Sequence, residues 1–135
     1  WGHHSTLGFS VAGSIGAKLA EPDKTVLGFI GDGAFGEGGI EFETAVRYGI
    51  PILMVISNNS GLGHYSADTP SHWKYYGDYA KIAEGMGGYS ERVEKPDEII
   101  PAIKRALKAM DSGKAALIDV VTKLEWSTQL TGPKS

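Results

Sequence analysis

"FIGDGAFGEGG", residues 29–39, follows an apolar run and precedes a stretch with helical spacing. Gly31, Gly33 and Gly36 spell G-x-G-x-x-G, the pattern of a turn that carries a dinucleotide between a strand and a helix. Asp32 stands inside those glycines. The stretch therefore has two readings: a cradle for a dinucleotide, or a cradle for a metal-bound diphosphate in which Asp32 meets the metal.

Outward from this point the chain alternates between two periodicities. Residues 8–20 carry small and apolar side chains at helical spacing and close at Pro22 and Asp23; "TVLGFI" (25–30) is a short apolar run; residues 38–49 return to helical spacing with Ile40, Ala45 and Val46 inward. "PILMVIS" (51–57) reads as a second buried strand, and a polar loop covers 58 to about 77. A helix near 78–86, a strand near 88–93, a helix over 97–112 and the strand "AALIDVV" (115–121) complete the pattern. Strands that are apolar on both faces and alternate with helices predict an α/β fold, a doubly wound parallel sheet with helices on both faces. Residues 1–121 are expected to form the one domain, and 122–135 a tail of little pattern.

The composition narrows the function classes. Nineteen glycines gather at the ends of the apolar runs, which fits turn punctuation rather than a helical bundle. A net charge of -3, with 13 basic residues scattered along the chain, gives no sign of a nucleic-acid surface. There is no cysteine, which excludes disulfides and thiolate metal sites. No apolar run approaches the roughly 18 residues of a membrane span, so a soluble, cytoplasmic protein is the expectation. The start "WGHHSTLGF" reads like the interior of a longer chain, which suggests a fragment or one subunit of a divided enzyme.

In doubly wound sheets ligands bind beyond the carboxyl ends of the strands. Two loops leave such ends in the first half of the chain, "GDGAF" and "NNSGLG". The dinucleotide reading asks for an acidic residue about 20 positions on, at the end of the second strand. Ser57, Asn58 and Asn59 stand there instead. Together the loops offer one carboxylate, one carboxamide oxygen and exposed backbone carbonyls, a hard-oxygen set that suits Mg²⁺ shared with a phosphate-bearing ligand. Gly31 and Gly33 let the backbone approach a diphosphate, and the amides of Gly33 to Phe35 can point at its oxygens.

"GDGAF", followed 27 positions after its aspartate by the second Asn of "NN" with Gly two further on, resembles the diphosphate-binding motif of thiamine diphosphate-dependent enzymes. Upstream, "STLGFSVAGSIGAKLAEPDKTV" is similar to the segment before that motif in acetolactate synthase-like and pyruvate decarboxylase-like enzymes. Downstream, "AFGEGGIEFETAVRYGIPILMVISNN" looks most like acetolactate synthase, oxalyl-CoA decarboxylase and 2-hydroxyacyl-CoA lyase relatives. The resemblance covers residues 1–121 and implies the C-terminal, diphosphate-binding domain of such an enzyme.

The resemblance implies roles residue by residue. Asp32, the Asn59 side chain and the Gly61 carbonyl would ligate Mg²⁺. Gly31, Gly33, Ala34, Phe35 and Leu62 would line the cofactor, with Ala34 where many relatives carry serine. Leu7 would sit under the thiazolium ring and Ser5 would lend its carbonyl to the aminopyrimidine. The catalytic residues are unknown: His4 and His64 are weak candidates, while adjacent His3 and His4 do not suit a shared zinc. Glu37 and Glu41 read as one turn of a solvated helix face rather than a catalytic pair. The carboxylate that activates the cofactor is expected on a separate pyrimidine-binding domain or subunit. The chain is therefore expected to anchor thiamine diphosphate and Mg²⁺ within a homo- or hetero-oligomer without turning over alone. Residues 8–19 and 38–48 are its candidate contact surface, and a 2-keto acid or 2-hydroxyacyl-CoA its class of substrate. A dinucleotide-binding module and a non-catalytic interaction domain on the same fold are the alternatives.

Overall fold

The computed structural model describes residues 6–61 and 74–123. Its centre is a four-stranded sheet formed by β1 (Leu27–Gly31), β2 (Leu53–Asn58), β3 (Tyr89–Val93) and β4 (Ala116–Val121), in the order β1-β2-β4-β3. All three pairings are parallel, as the apolar runs of β2 and β4 lead one to expect. β2 and β4 occupy the middle and are buried along most of their length.

Helices cover both faces. On one lie α1 (Phe9–Ala20), α2 (Asp32–Gly38), α3 (Glu41–Arg47) and α4 (Tyr79–Gly85), packed on a core that includes Val11, Phe42, Ala45, Ile52, Met54 and Leu117. On the other, α5 (Ile99–Asp111) lays Ala102, Ala106 and Met110, spaced one turn apart, over Leu53, Val55, Ala116 and Ile118. The expected doubly wound α/β class holds, and every predicted strand lies within two residues of its observed bounds. Among the described residues no helix is long and apolar enough to cross a membrane.

One element differs from the sequence reading. Instead of a single helix over 38–49 there are two, with a break at Gly39 and Ile40, and the first begins at Asp32 itself. The break shifts the helical phase: Phe42 and Ala45 point inward, while Ile40 is 71% exposed and not inward as its spacing suggested. It also separates Glu37 from Glu41, which belong to different helices and share no face. Glu43 forms an exposed ion pair with Arg47 on α3.

Glycine decides how closely α1 approaches α2. Gly8, the residue before α1, has φ 84°, and a Cβ added at Gly38 would lie 2.7 Å from the Gly8 carbonyl oxygen. Gly38→Ala is therefore expected to force the two backbones apart and to cost about 1–3 kcal/mol, as overpacking does. In Gly36→Ala the new methyl meets nothing within 4 Å among the described residues, so stability should rise by about 0.5–1 kcal/mol. Chemical unfolding of the two variants measures the opposite signs.

Candidate functional site

The pairing register turns sequence distance into contact. Gly31 ends β1 opposite Ser57 of β2, so Asp32 and the pair Asn58 and Asn59 emerge side by side at the carboxyl edge of the sheet. Asp32 opens α2, where a carboxylate is favoured by the amides of the first turn. Gly31 precedes it in extended conformation and gives no side-chain cap.

Beyond β2 the chain makes two overlapping turns closed by side chains. The Ser60 amide donates to Asn58 Oδ1 at 3.1 Å, and the Gly61 amide donates to Asn59 Oδ1 at 3.1 Å. Ser60 takes φ 59°, in the left-handed region where few residues other than glycine settle. The Gly61 amide also donates to Asp32 Oδ2 at 2.9 Å. The Asp32 and Asn59 oxygens thus converge on one N–H.

A short antiparallel bridge holds the far side of this loop. The Tyr75 amide donates to the Ser60 carbonyl at 3.0 Å, and Gly61 faces Lys74 as a non-hydrogen-bonded pair.

Asp32 is buried, with 1% of its surface exposed, and burial pushes its carboxyl above the ordinary 3.8 despite amides that donate to it. Among the described residues no Lys or Arg pairs with it. Tyr79, nearby at the start of α4, has its hydroxyl pushed up to about 12, first by burial and then by the charges of Asp32 and Asp119. Two buried carboxylates thus stand near the foot of the loop, Asp119 paired with Arg92 and Asp32 with no cationic side chain among the described residues.

A cavity of about 390 Å³ opens in front of these groups. Its walls are the turn Thr6–Gly8 with Ser10, the end of β1 from Phe29, the first turn of α2, and Ser57, Asn59 and Gly61. Seven of the residues singled out from the sequence line it: Leu7, Gly31, Asp32, Gly33, Ala34, Asn59 and Gly61. Phe35 does not. Its side chain is 3% exposed and meets the Tyr79 ring edge-on, with centroids 5.6 Å apart, so it anchors α2 to the core. His3, His4, Ser5, Leu62 and His64 lie outside the described residues.

The oxygen set fits Mg²⁺ bound together with a diphosphate. It supplies one carboxylate and neutral oxygens, and Mg²⁺ in phosphate sites takes only one or two carboxylates from the protein. Among the described residues there is no group of three His, Cys, Asp or Glu side chains able to cage a metal by themselves. A cation here would have to share its coordination with a ligand or water.

Comparison with known proteins places the chain in a family. Residues 1–120 match the family of the thiamine pyrophosphate enzyme C-terminal TPP binding domain. The chain belongs to this family. Among relatives of this TPP-binding domain, the 2-hydroxyacyl-CoA lyase of Oryza sativa subsp. japonica is 33% identical over an alignment of 134 positions that covers 90% of this chain and 22% of the lyase. The acetolactate synthase large subunit of Corynebacterium glutamicum is 31% identical over 129 residues, covering 86% and 20%. Among solved structures, the thiamine diphosphate-dependent 4-hydroxybenzoylformate decarboxylase of Rhodococcus jostii RHA1 superposes with a TM-score of 0.78 at 32% identity. That match takes in 90% of this chain and 24% of the decarboxylase chain. This TPP-binding domain thus spans about a fifth to a quarter of the length of the relatives it matches.

The sequence reading passed over one buried acid. Asp119 lies in "AALIDVV" in the middle of β4 with no exposed surface, and it accepts hydrogen bonds from Asn58, Tyr79 and Arg92. The signal was a charged residue within a strand apolar on both faces, a place where an unpaired carboxylate is almost never found.

Proposed function

We propose that this domain holds the diphosphate of thiamine diphosphate through one Mg²⁺ bound by Asp32 Oδ, Asn59 Oδ1 and the Gly61 carbonyl, as the anchoring part of a lyase, decarboxylase or carboligase. The observation that carries this reading is the convergence of the Asp32 and Asn59 oxygens on the Gly61 amide at the mouth of the cavity. Both side chains are held in place by the loop itself, so little ordering is needed when the cation enters. Gly61 turns its N–H to Asp32 and away from Lys74, and in such a pair the carbonyl faces the same way as the N–H.

The bound cofactor would supply a thiazolium ring able to hold the electron pair released when a carbon–carbon bond breaks. The chain's own residues bind and orient. Gly31 and Gly33 keep side chains out of the diphosphate's way, and Leu7, 41% exposed at the cavity wall, offers the ring an apolar support. Among the described residues Asp32 is the one carboxylate lining the cavity, and it is committed to the metal. An acid for proton transfer would then come from a separate pyrimidine-binding domain or subunit, which agrees with the fraction of each relative that this chain spans. The substrates of the relatives point to 2-keto acids or 2-hydroxyacyl-CoA thioesters for the complete enzyme.

The dinucleotide reading is disfavoured by the end of β2. There Asn58 is turned into the core toward Asp119 and Asn59 faces the cavity, so no carboxylate is placed for ribose hydroxyls. Calorimetric titration of the chain separates the readings. Heat from thiamine diphosphate that appears with Mg²⁺ and disappears with EDTA is expected, with none from NAD; binding of NAD without Mg²⁺-dependent binding of thiamine diphosphate would contradict the proposal.

A further inference from the structure

We infer that Asp119 is a positioning residue for the metal loop: acting through Asn58, it sets the conformation that presents Asn59 and Gly61 to the cavity. The inference rests on the reading of those two residues as metal ligands. Asp119 itself lines no part of the cavity, which makes its burial the puzzle.

A carboxylate in the middle of a central strand is costly to desolvate, and an apolar residue of similar size would suit β4 better. Asp119 is nonetheless fully buried, opposite Ile56 of β2 and Arg92 of β3. Its two oxygens divide the work. Oδ2 accepts from Arg92 Nη1 at 2.7 Å and from the Tyr79 amide at 3.1 Å, which ties β3 and the start of α4 to β4. Oδ1 accepts from Asn58 Nδ2 at 2.9 Å.

That last bond carries the consequence. A carboxylate can only accept, so Asn58 must turn its NH₂ toward Asp119 and its carbonyl oxygen the other way. The oxygen then meets the Ser60 amide at 3.1 Å and holds Ser60 in its left-handed conformation. Ser60 in this conformation leads the chain to Gly61, whose amide sits on Asp32 and Asn59. The Asn58 NH₂ also reaches the Gly77 carbonyl at 3.4 Å, and the backbone carbonyl of Asn58 accepts from the Thr122 amide at 2.7 Å, so Asn58 cannot drift. The core charge and the loop are linked by one carboxamide whose orientation has a single solution.

Replacing the charge by an amide removes that solution. In Asp119→Asn the oxygen stays with Arg92 and Tyr79, and the new NH₂ confronts the NH₂ of Asn58. Asn58 must flip or withdraw, and either move leaves the Ser60 amide without its acceptor. Asn58→Ala cuts the same link while leaving the charge in place, so it decides the matter if Asp119→Asn folds poorly.

The test is amide exchange by NMR on the metal-free chain, followed by titration with Mg²⁺ and thiamine diphosphate. In both variants the Ser60 and Gly61 amides are expected to exchange more than about tenfold faster, while Val55 and Ile118 in the strands keep their protection. Affinity for Mg²⁺ with thiamine diphosphate should fall about 10–100-fold, as for other groups that orient metal ligands. Unchanged exchange at Ser60 and Gly61 in folded variants would overturn the inference, and so would faster exchange with undiminished affinity. A wild-type chain that binds no Mg²⁺ with thiamine diphosphate would contradict the metal reading instead, and the exchange comparison would still decide whether Asp119 sets the loop.

Discussion

Asp32→Ala is expected to lower the affinity for thiamine diphosphate in the presence of Mg²⁺ by more than about 100-fold, because it removes a ligand where loss of a merely orienting group already costs 10–100-fold. The effect should not come from unfolding. Asp32 is buried, and its carboxyl sits above the ordinary 3.8 because burial opposes its charge. The folded metal-free chain therefore holds the proton more tightly than the unfolded one. Its stability is fully present below the ordinary value and declines as pH rises through the higher folded one. Asp32→Asn removes that titration and nearly preserves the shape. It should be at least as stable as wild type at neutral pH without metal, and as deficient as Asp32→Ala in binding. Thermal unfolding with and without Mg²⁺ and thiamine diphosphate reads both effects: ligand should raise the midpoint of wild type and leave the two variants unmoved. A variant that loses stability and affinity together would speak for a structural aspartate.

Phe35→Ala is expected to destabilise the domain by about 3–5 kcal/mol, the cost of truncating a buried phenylalanine. The short helix α2, "DGAFGEG", has three glycines in seven residues and little intrinsic reason to be helical. Its hold on the core is the Phe35 side chain, packed edge-on against Tyr79. Losing that anchor frees the element that carries Asp32, so affinity for the cofactor should weaken along with stability. Guanidinium unfolding measures the first, calorimetry the second. A change below about 1 kcal/mol would mean that backbone contacts alone keep α2 in place.

These two residues, three positions apart, also show where the sequence was legible. The glycines, the aspartate and the asparagine pair announce a site because each carries a strong local reason to be there: close backbone approach, hard oxygen donors and turn formation. Apolar runs placed the strands well, since β2 and β4 are buried on both faces and nothing competes with that signal. The helix at Asp32 was hidden for the opposite reason. Its glycines read as loop, and the packing that holds it is tertiary, with Phe35 set against an α4 residue 44 positions away. The link from Asp119 to the loop was hidden too. The acid inside "AALIDVV" was visible, but its partner Asn58 lies 61 positions away, and only the placement of β4 beside β2 brings them together.

The sharpest check is a crystal structure of the chain grown with thiamine diphosphate and Mn²⁺ in place of Mg²⁺, because anomalous scattering locates manganese without reference to the fold. One peak is expected at the carboxyl edge of the sheet, ligated by Asp32 Oδ, Asn59 Oδ1, the Gly61 carbonyl and the diphosphate. A manganese ion bound elsewhere, or a diphosphate seated in the cavity with no metal between it and Asp32, would contradict this expectation.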